Sequence, residues 1–142
     1  MKAVLDAIEA TFDADEALVR SGRKVYFGLQ GRPDKPIKPF VDVTVENQGA
    51  IVTFGADVEQ YAVTFTAHTD AQRYDNAFTL KEDLIRVFDD VDMTDEDDTF
   101  HTVMCYRTGG SGPTFVDGQY QVELEYELSI ERRTMVPAER GT

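Results

Sequence analysis

The sequence predicts an α+β fold, a mostly antiparallel sheet packed against one long helix and an N-terminal helix pair, and three stretches carry that prediction. Residues 119–132 alternate without a break, with Tyr120, Val122, Leu124, Tyr126, Leu128 and Ile130 on one side and Gln121, Glu123, Glu125, Glu127, Ser129 and Glu131 on the other. A strand sends successive side chains to opposite faces, so this is one long strand with an apolar face and an acidic face. Residues 74–88 place Tyr74, Ala77, Phe78, Leu84, Ile85 and Phe88 at helical spacing, and the opening residues place Val4, Leu5, Ile8 and Phe12 on another helical stripe. The final strand runs to more than twice the usual length of about 5 to 6 residues, which suits an arm or a sheet shared with a neighbour.

Composition bounds the rest. A chain of 142 residues with 42% hydrophobic content can bury a core without staples. A single domain over residues 1–134 is expected, with a disordered tail over 135–142. Nine Phe and six Tyr supply bulky filling. The formal charge of -13 argues against a surface that wraps nucleic acid, because duplex binding depends on cations that neutralise phosphates. A halophilic or marine source produces the same balance. The lone Cys105 cannot form an internal disulfide. Neither a leader nor a membrane span is visible, so a soluble protein made in the cytoplasm is expected.

In chain order, a first helix covers residues 1–12. Asp13 with Glu16 three positions on resembles a capping box for a short second helix, which Ser21-Gly22 stops. Residues 24–27 form a small strand. Residues 31–39 hold Pro33, Pro36 and Pro39 with Arg32, Lys35 and Lys38 between them, a semi-rigid surface loop. It is either simply solvated or a contact patch for an acidic partner or a neighbouring subunit. Residues 40–46 alternate, Asn47-Gln48-Gly49 offers a tight turn, and residues 50–54 return as the second arm of a hairpin. Residues 61–68 form a further strand, Thr69 with Gln72 is a capping box for the long helix, and its whole apolar stripe is assigned to the core. The acidic run 89–98 ends that helix and forms a solvated loop, since acid opposes the dipole at a helix C-terminus. Residues 100–107 form a strand, and the stretch 108–118, with Gly109, Gly110 and Gly112, is a flexible loop before the final strand.

The chain lacks most of the motifs that carry chemistry. As a calcium loop starting at Asp90, the acidic run has Asp95 where glycine is needed and His101 where glutamate is needed. Ser111 lacks the second glycine of a nucleophile elbow, because Pro113 stands there. The glycine cluster has no Gly-Lys-Ser/Thr ending and no helix after it, which excludes a phosphate loop. His101 and Cys105 share a strand face but lie roughly 13 Å apart, too far for one metal. Glu123, Glu125 and Glu127 are spaced by about 6.6 Å with nothing to desolvate them, so they read as a solvated or lumen-facing stripe. No catalytic, metal or cofactor constellation emerges, and an enzyme is not expected.

Several strings together resemble the tail terminator, or tail completion, proteins of long-tailed phages and related tailed viruses. These are the opening helix, Asp15-Glu16-Ala17-Leu18-Val19, Ser21-Gly22-Arg23-Lys24-Val25-Tyr26, the proline-led Pro39-Phe40-Val41-Asp42-Val43, Tyr61-Ala62-Val63-Thr64-Phe65 ahead of the helix with Ala77, Leu84 and Phe88, and the closing strand from Tyr120 to Ile130. The resemblance is architectural and covers the chain to about Arg132; the 89–98 run and His68 depart from it. It implies a subunit of a homohexameric ring that caps the tail tube, stops its polymerisation, meets the head connector or stopper protein, and lets viral DNA pass without specific binding. It also implies a subunit that can stay monomeric until it meets the tube, assembled in the host cytoplasm and resident in the virion tail or neck. Arg32, Lys35, Lys38, Gly109, Gly110 and Gly112 are then the expected partner-contacting loop residues. Glu123, Glu125 and Glu127 are the expected lumen or interface face. A head-completion or adaptor protein of the neck and a non-viral α+β ligand-binding module are the alternatives.

Overall fold

The computed structural model describes residues 2–28, 32–53, 56–70, 73–93 and 100–132. The order is α1 (Lys2–Asp13), α2 (Glu16–Gly22), β1 (Val25–Phe27), β2 (Phe40–Thr53), β3 (Ala56–Thr69), α3 (Tyr74–Phe88), β4 (Phe100–Val116) and β5 (Gln119–Arg132). The strands form one sheet in the order β1-β2-β3-β5-β4, antiparallel except for the short parallel pair of β1 with β2. This is the α+β arrangement the sequence predicts.

Alternation decides which face of the sheet is covered. Val41 and Val43 of β2, Tyr61, Val63, Phe65 and Ala67 of β3, and Val122, Leu124, Tyr126, Leu128 and Ile130 of β5 are buried on one face. Val4, Ile8 and Phe12 of α1, Leu18 of α2, and Ala77, Leu80, Leu84 and Phe88 of α3 join them in one cluster. Phe65 sits at its centre, 4.5 Å from the Phe88 ring and 5.7 Å from the Tyr126 ring. Each buried Val, Leu, Ile or Phe contributes about 1.5–3 kcal/mol by leaving water, so this face holds the sheet to its helices. Among the described residues no helix covers the other face.

Five local expectations need correction. The cap of α2 is Asp15, whose carboxylate accepts from the Leu18 N–H at 2.9 Å, rather than Asp13. Asn47-Gln48-Gly49 does not turn the chain: the Asn47 side chain accepts from the Gly49 N–H and the register steps there, so the motif is absorbed as a bulge in one long strand that pairs with β3. Thr69 does not cap α3; it ends β3 and donates to the Tyr120 carbonyl, while α3 starts at Tyr74 without a side-chain cap and Gln72 lies outside the described residues. Tyr74 and Phe78 leave the core stripe, because the buried line of α3 runs through Ala77, Leu80, Leu84 and Phe88. The glycine-rich stretch is strand, since β4 continues through it to Val116 on the ladder of β5. Residues 94–98 of the acidic run and the 135–142 tail lie outside the described residues; Asp89 does close α3 as its C-cap.

Candidate functional site

The bare face of the sheet is where outward side chains of four strands meet. On β5, Glu123 and Glu125 are exposed and flanked across the ladder by Thr66 and Thr64 of β3 and by Ser111 and Gly109 of β4. Gly109 leaves room for its neighbour, since a Cβ there would stand 2.9 Å from the Glu125 Oε2. Glu127 differs from the other two, because its Oε2 accepts from the Tyr106 hydroxyl at 3.0 Å. Among the described residues no cation bridges to Glu123 or Glu125, so the middle of this face is an open acidic stripe.

At one end, the loop 32–39 folds over the same face and closes a polar knot. Arg32 donates to the Asp42 carboxylate at 2.6 Å and lies 5.1 Å from the Phe40 ring. Phe40 stacks on His68 at 4.5 Å. His68 Nε2 lies 3.1 Å from the same Asp42 oxygen, and Nδ1 lies 3.0 Å from the Gln119 side-chain nitrogen. An amide nitrogen only donates, so Nδ1 accepts, Nε2–H donates to Asp42, and the ring is neutral. Burial pulls the His68 pKa down against the pull of Asp42, in agreement with that state. Asp42 Oδ1 and Gln119 Oε1 are buried without partners.

Of the residues the sequence singled out, Arg32, Lys35 and Lys38 do come together around a cleft of about 290 Å³ that Phe40, His68 and Gln119 also line. Arg32 is committed to Asp42; among the described residues no carboxylate pairs with Lys35 or Lys38. Gly109, Gly110 and Gly112 lie instead in β4, at the far edge of the sheet from β1. Gly112 is anchored there, its carbonyl accepting from Lys81 of α3 at 2.9 Å. The sequence reading missed the partners Asp42, His68 and Gln119, whose signal was present as outward positions of three alternating strands.

Both ring nitrogens of His68 are occupied, which leaves no lone pair free to take a proton from a substrate. His101 and Cys105 do not share a face: the bulge between Thr102 and Met104 turns His101 to the bare face opposite Glu131 and Cys105 into the core opposite Leu128. Burial and the charges of Asp89 and Asp90 push the Cys105 thiol up to about 12, so it is an inert core group. A second cleft, of about 440 Å³, lies between α2 and α3, where Ser21 donates to Asp83 at 2.7 Å and no histidine lines the space. No group of three or more metal-ligating side chains occurs among the described residues, and no described helix is long and apolar enough to cross a membrane. What fold and site define is a one-sided α+β sheet with an acidic stripe, a basic loop at one edge and, at the other, a long strand whose outer side has no neighbour among the described residues.

No family model and no curated protein matches the chain. Among solved structures it is similar to a chain of the virion of a native gene transfer agent particle, with a TM-score of 0.73 and 14% identity over 92% of this chain and 96% of that one. At that identity the likeness establishes the fold.

Proposed function

We propose that this chain is a structural virion protein, a tail terminator that closes into a homohexameric ring, caps the tail tube, halts its polymerisation and joins the tail to the head connector. The observation that carries the reading is the one-sided sheet: helices cover one face, and the other presents Glu123 and Glu125 unbridged among the described residues. With that face turned inward, a ring surrounds its channel with like charge, which keeps passing DNA from adhering. The two lateral edges of each sheet then face neighbouring subunits. The fold it shares with a chain of a gene transfer agent virion supports a role in a phage-like particle. A head-completion or adaptor ring of the neck would use the same geometry and differs in its partner.

The test is native mass by light scattering, alone and with tail tube protein, with imaging of the same fractions. A six-fold ring that caps tubes supports the terminator; a ring indifferent to tubes moves the assignment to the neck. Glu123→Gln with Glu125→Gln should leave ring assembly intact and impair genome passage, and unchanged infectivity would remove the channel assignment.

A further inference from the structure

Two exposed features sit at one level of the sheet on opposite edges. Phe40 pairs with His68, His68 with Gln121 and Gln121 with Thr114, so the loop that leads into Phe40 and the Thr114–Phe115 segment of β4 end the same row. Three interstrand steps separate Phe40 on β2 from Thr114 on β4, roughly 14 Å. At the β4 end, Tyr74, Phe78, Phe115 and Val116 are 52%, 46%, 59% and 36% exposed. Tyr74, Phe78 and Phe115 form one patch, since the Tyr74 and Phe115 rings both stand edge-on to Tyr120, at 5.5 and 5.3 Å, while Val116 turns to the other face opposite Gln119. Phe78 lies one turn along from Tyr74, and Lys81, a further turn on, ties that side of α3 to Gly112 of β4. At the other end, Ile37 projects with 68% of its surface exposed while Arg23 holds its carbonyl at 3.0 Å. Lys35 and Lys38 flank it.

We propose that the aromatic patch at the β4 edge receives the Ile37 loop of a second copy of this chain, so that subunits join head to tail. This deepens the ring reading and rests on it. Ile37 supplies an apolar knob for an aromatic surface, and the two lysines meet ring faces and the exposed Asp117 beside Phe115, a favourable pairing for a cation in an acidic protein. The contacting surfaces are different and lie on opposite edges at one level, which is the condition for a heterologous contact that closes a ring instead of a two-fold dimer. The bare acidic face is left free for the channel.

The experiment uses two full-length variants, Ile37→Asp and the double change Phe78→Asp with Phe115→Asp, all at exposed positions, with thermal melts confirming that each folds. Wild type and variants are compared by native mass across concentration, with and without tail tube protein. Each variant alone should need roughly a hundredfold higher concentration to associate. Mixed in equal amounts they should form heterodimers and nothing larger, because the intact patch of one takes the intact loop of the other and both remaining surfaces are dead. Rings from either variant alone overturn the contact and leave the ring reading standing, as does a loss confined to tube capture. A mixture that fails to pair also overturns it. A wild-type protein that stays monomeric even with tube protein overturns both.

Discussion

Replacing Gly112 by alanine should destabilise the protein far more than replacing Gly118, although both glycines sit in the stretch the sequence assigns to a flexible loop. Gly112 has φ 96° and Gly118 φ 76°, so either substitution strains the backbone by about 1–2 kcal/mol. The surroundings differ. A Cβ on Gly112 would stand 2.5 Å from the Gln121 carbonyl oxygen and 3.2 Å from the Thr114 nitrogen, whereas nothing lies within 4 Å of one on Gly118. The nearest obstacles at Gly112 are backbone atoms of the β4–β5 ladder, which cannot rotate aside, and displacing packed structure adds about 1–3 kcal/mol. Gly112→Ala should therefore cost about 2–5 kcal/mol and Gly118→Ala about 1–2 kcal/mol, measured as shifts in urea midpoint at unchanged slope. Equal costs for the two variants would mean that Gly112 is not held against β5 and that the glycine stretch is a loop after all.

Two further expectations concern titrating groups. His68 is held neutral, with its pKa below the ordinary 6.5, so the unfolded chain takes up a proton first as pH falls. Its contribution is complete above about 6.5 and is lost as pH drops from there towards the lower folded value, so His68→Gln should flatten the fall of the urea midpoint over that interval; an unchanged slope would contradict the neutral ring. Cys105, pushed from 9.0 to about 12, should carry roughly a thousandfold less thiolate than an ordinary cysteine at pH 8. A thiol reagent should therefore label it only on unfolding, and prompt labelling of the native protein would refute its placement in the core.

How far the sequence could be read depended on whether a local signal was also the tertiary one. The strand Gln119–Arg132 was legible to the residue because its alternation matches a sheet with one covered face, and neighbours on both sides keep it in register. The hairpin at Asn47-Gln48-Gly49 was misread because β3 offers a continuous partner along β2, and a local turn signal yields to a ladder of thirteen pairs by absorbing one extra residue. The helix stripe named the right element but not which of its aromatics face outward: the buried line runs through Ala77, Leu80, Leu84 and Phe88, and Tyr74 and Phe78 stay exposed beside it. At the site, the basic loop was visible from its prolines and cations. Its anchor was not, because Asp42, His68 and Gln119 are brought into one row by strand register, which no single segment encodes.

Edge strands explain why the misread stretch matters most for assembly. β4 is seventeen residues long and pairs on one side only within the described residues, so its outer backbone is open to other chains. Register steps near Val103, Thr108 and Gly112–Pro113 interrupt it and bend the edge, which hinders indiscriminate strand addition. The same steps reset the alternation, so that Met104 and Tyr106 face the bare side while Arg107 reaches Asp89 at 3.4 Å on the covered side and Phe115 joins the aromatic patch. A uniform strand would leave one long edge to any partner; this one leaves a short aromatic platform braced by Lys81 from α3. Side chains, rather than open backbone, then select what docks, and the copy-to-copy contact stands or falls with that platform.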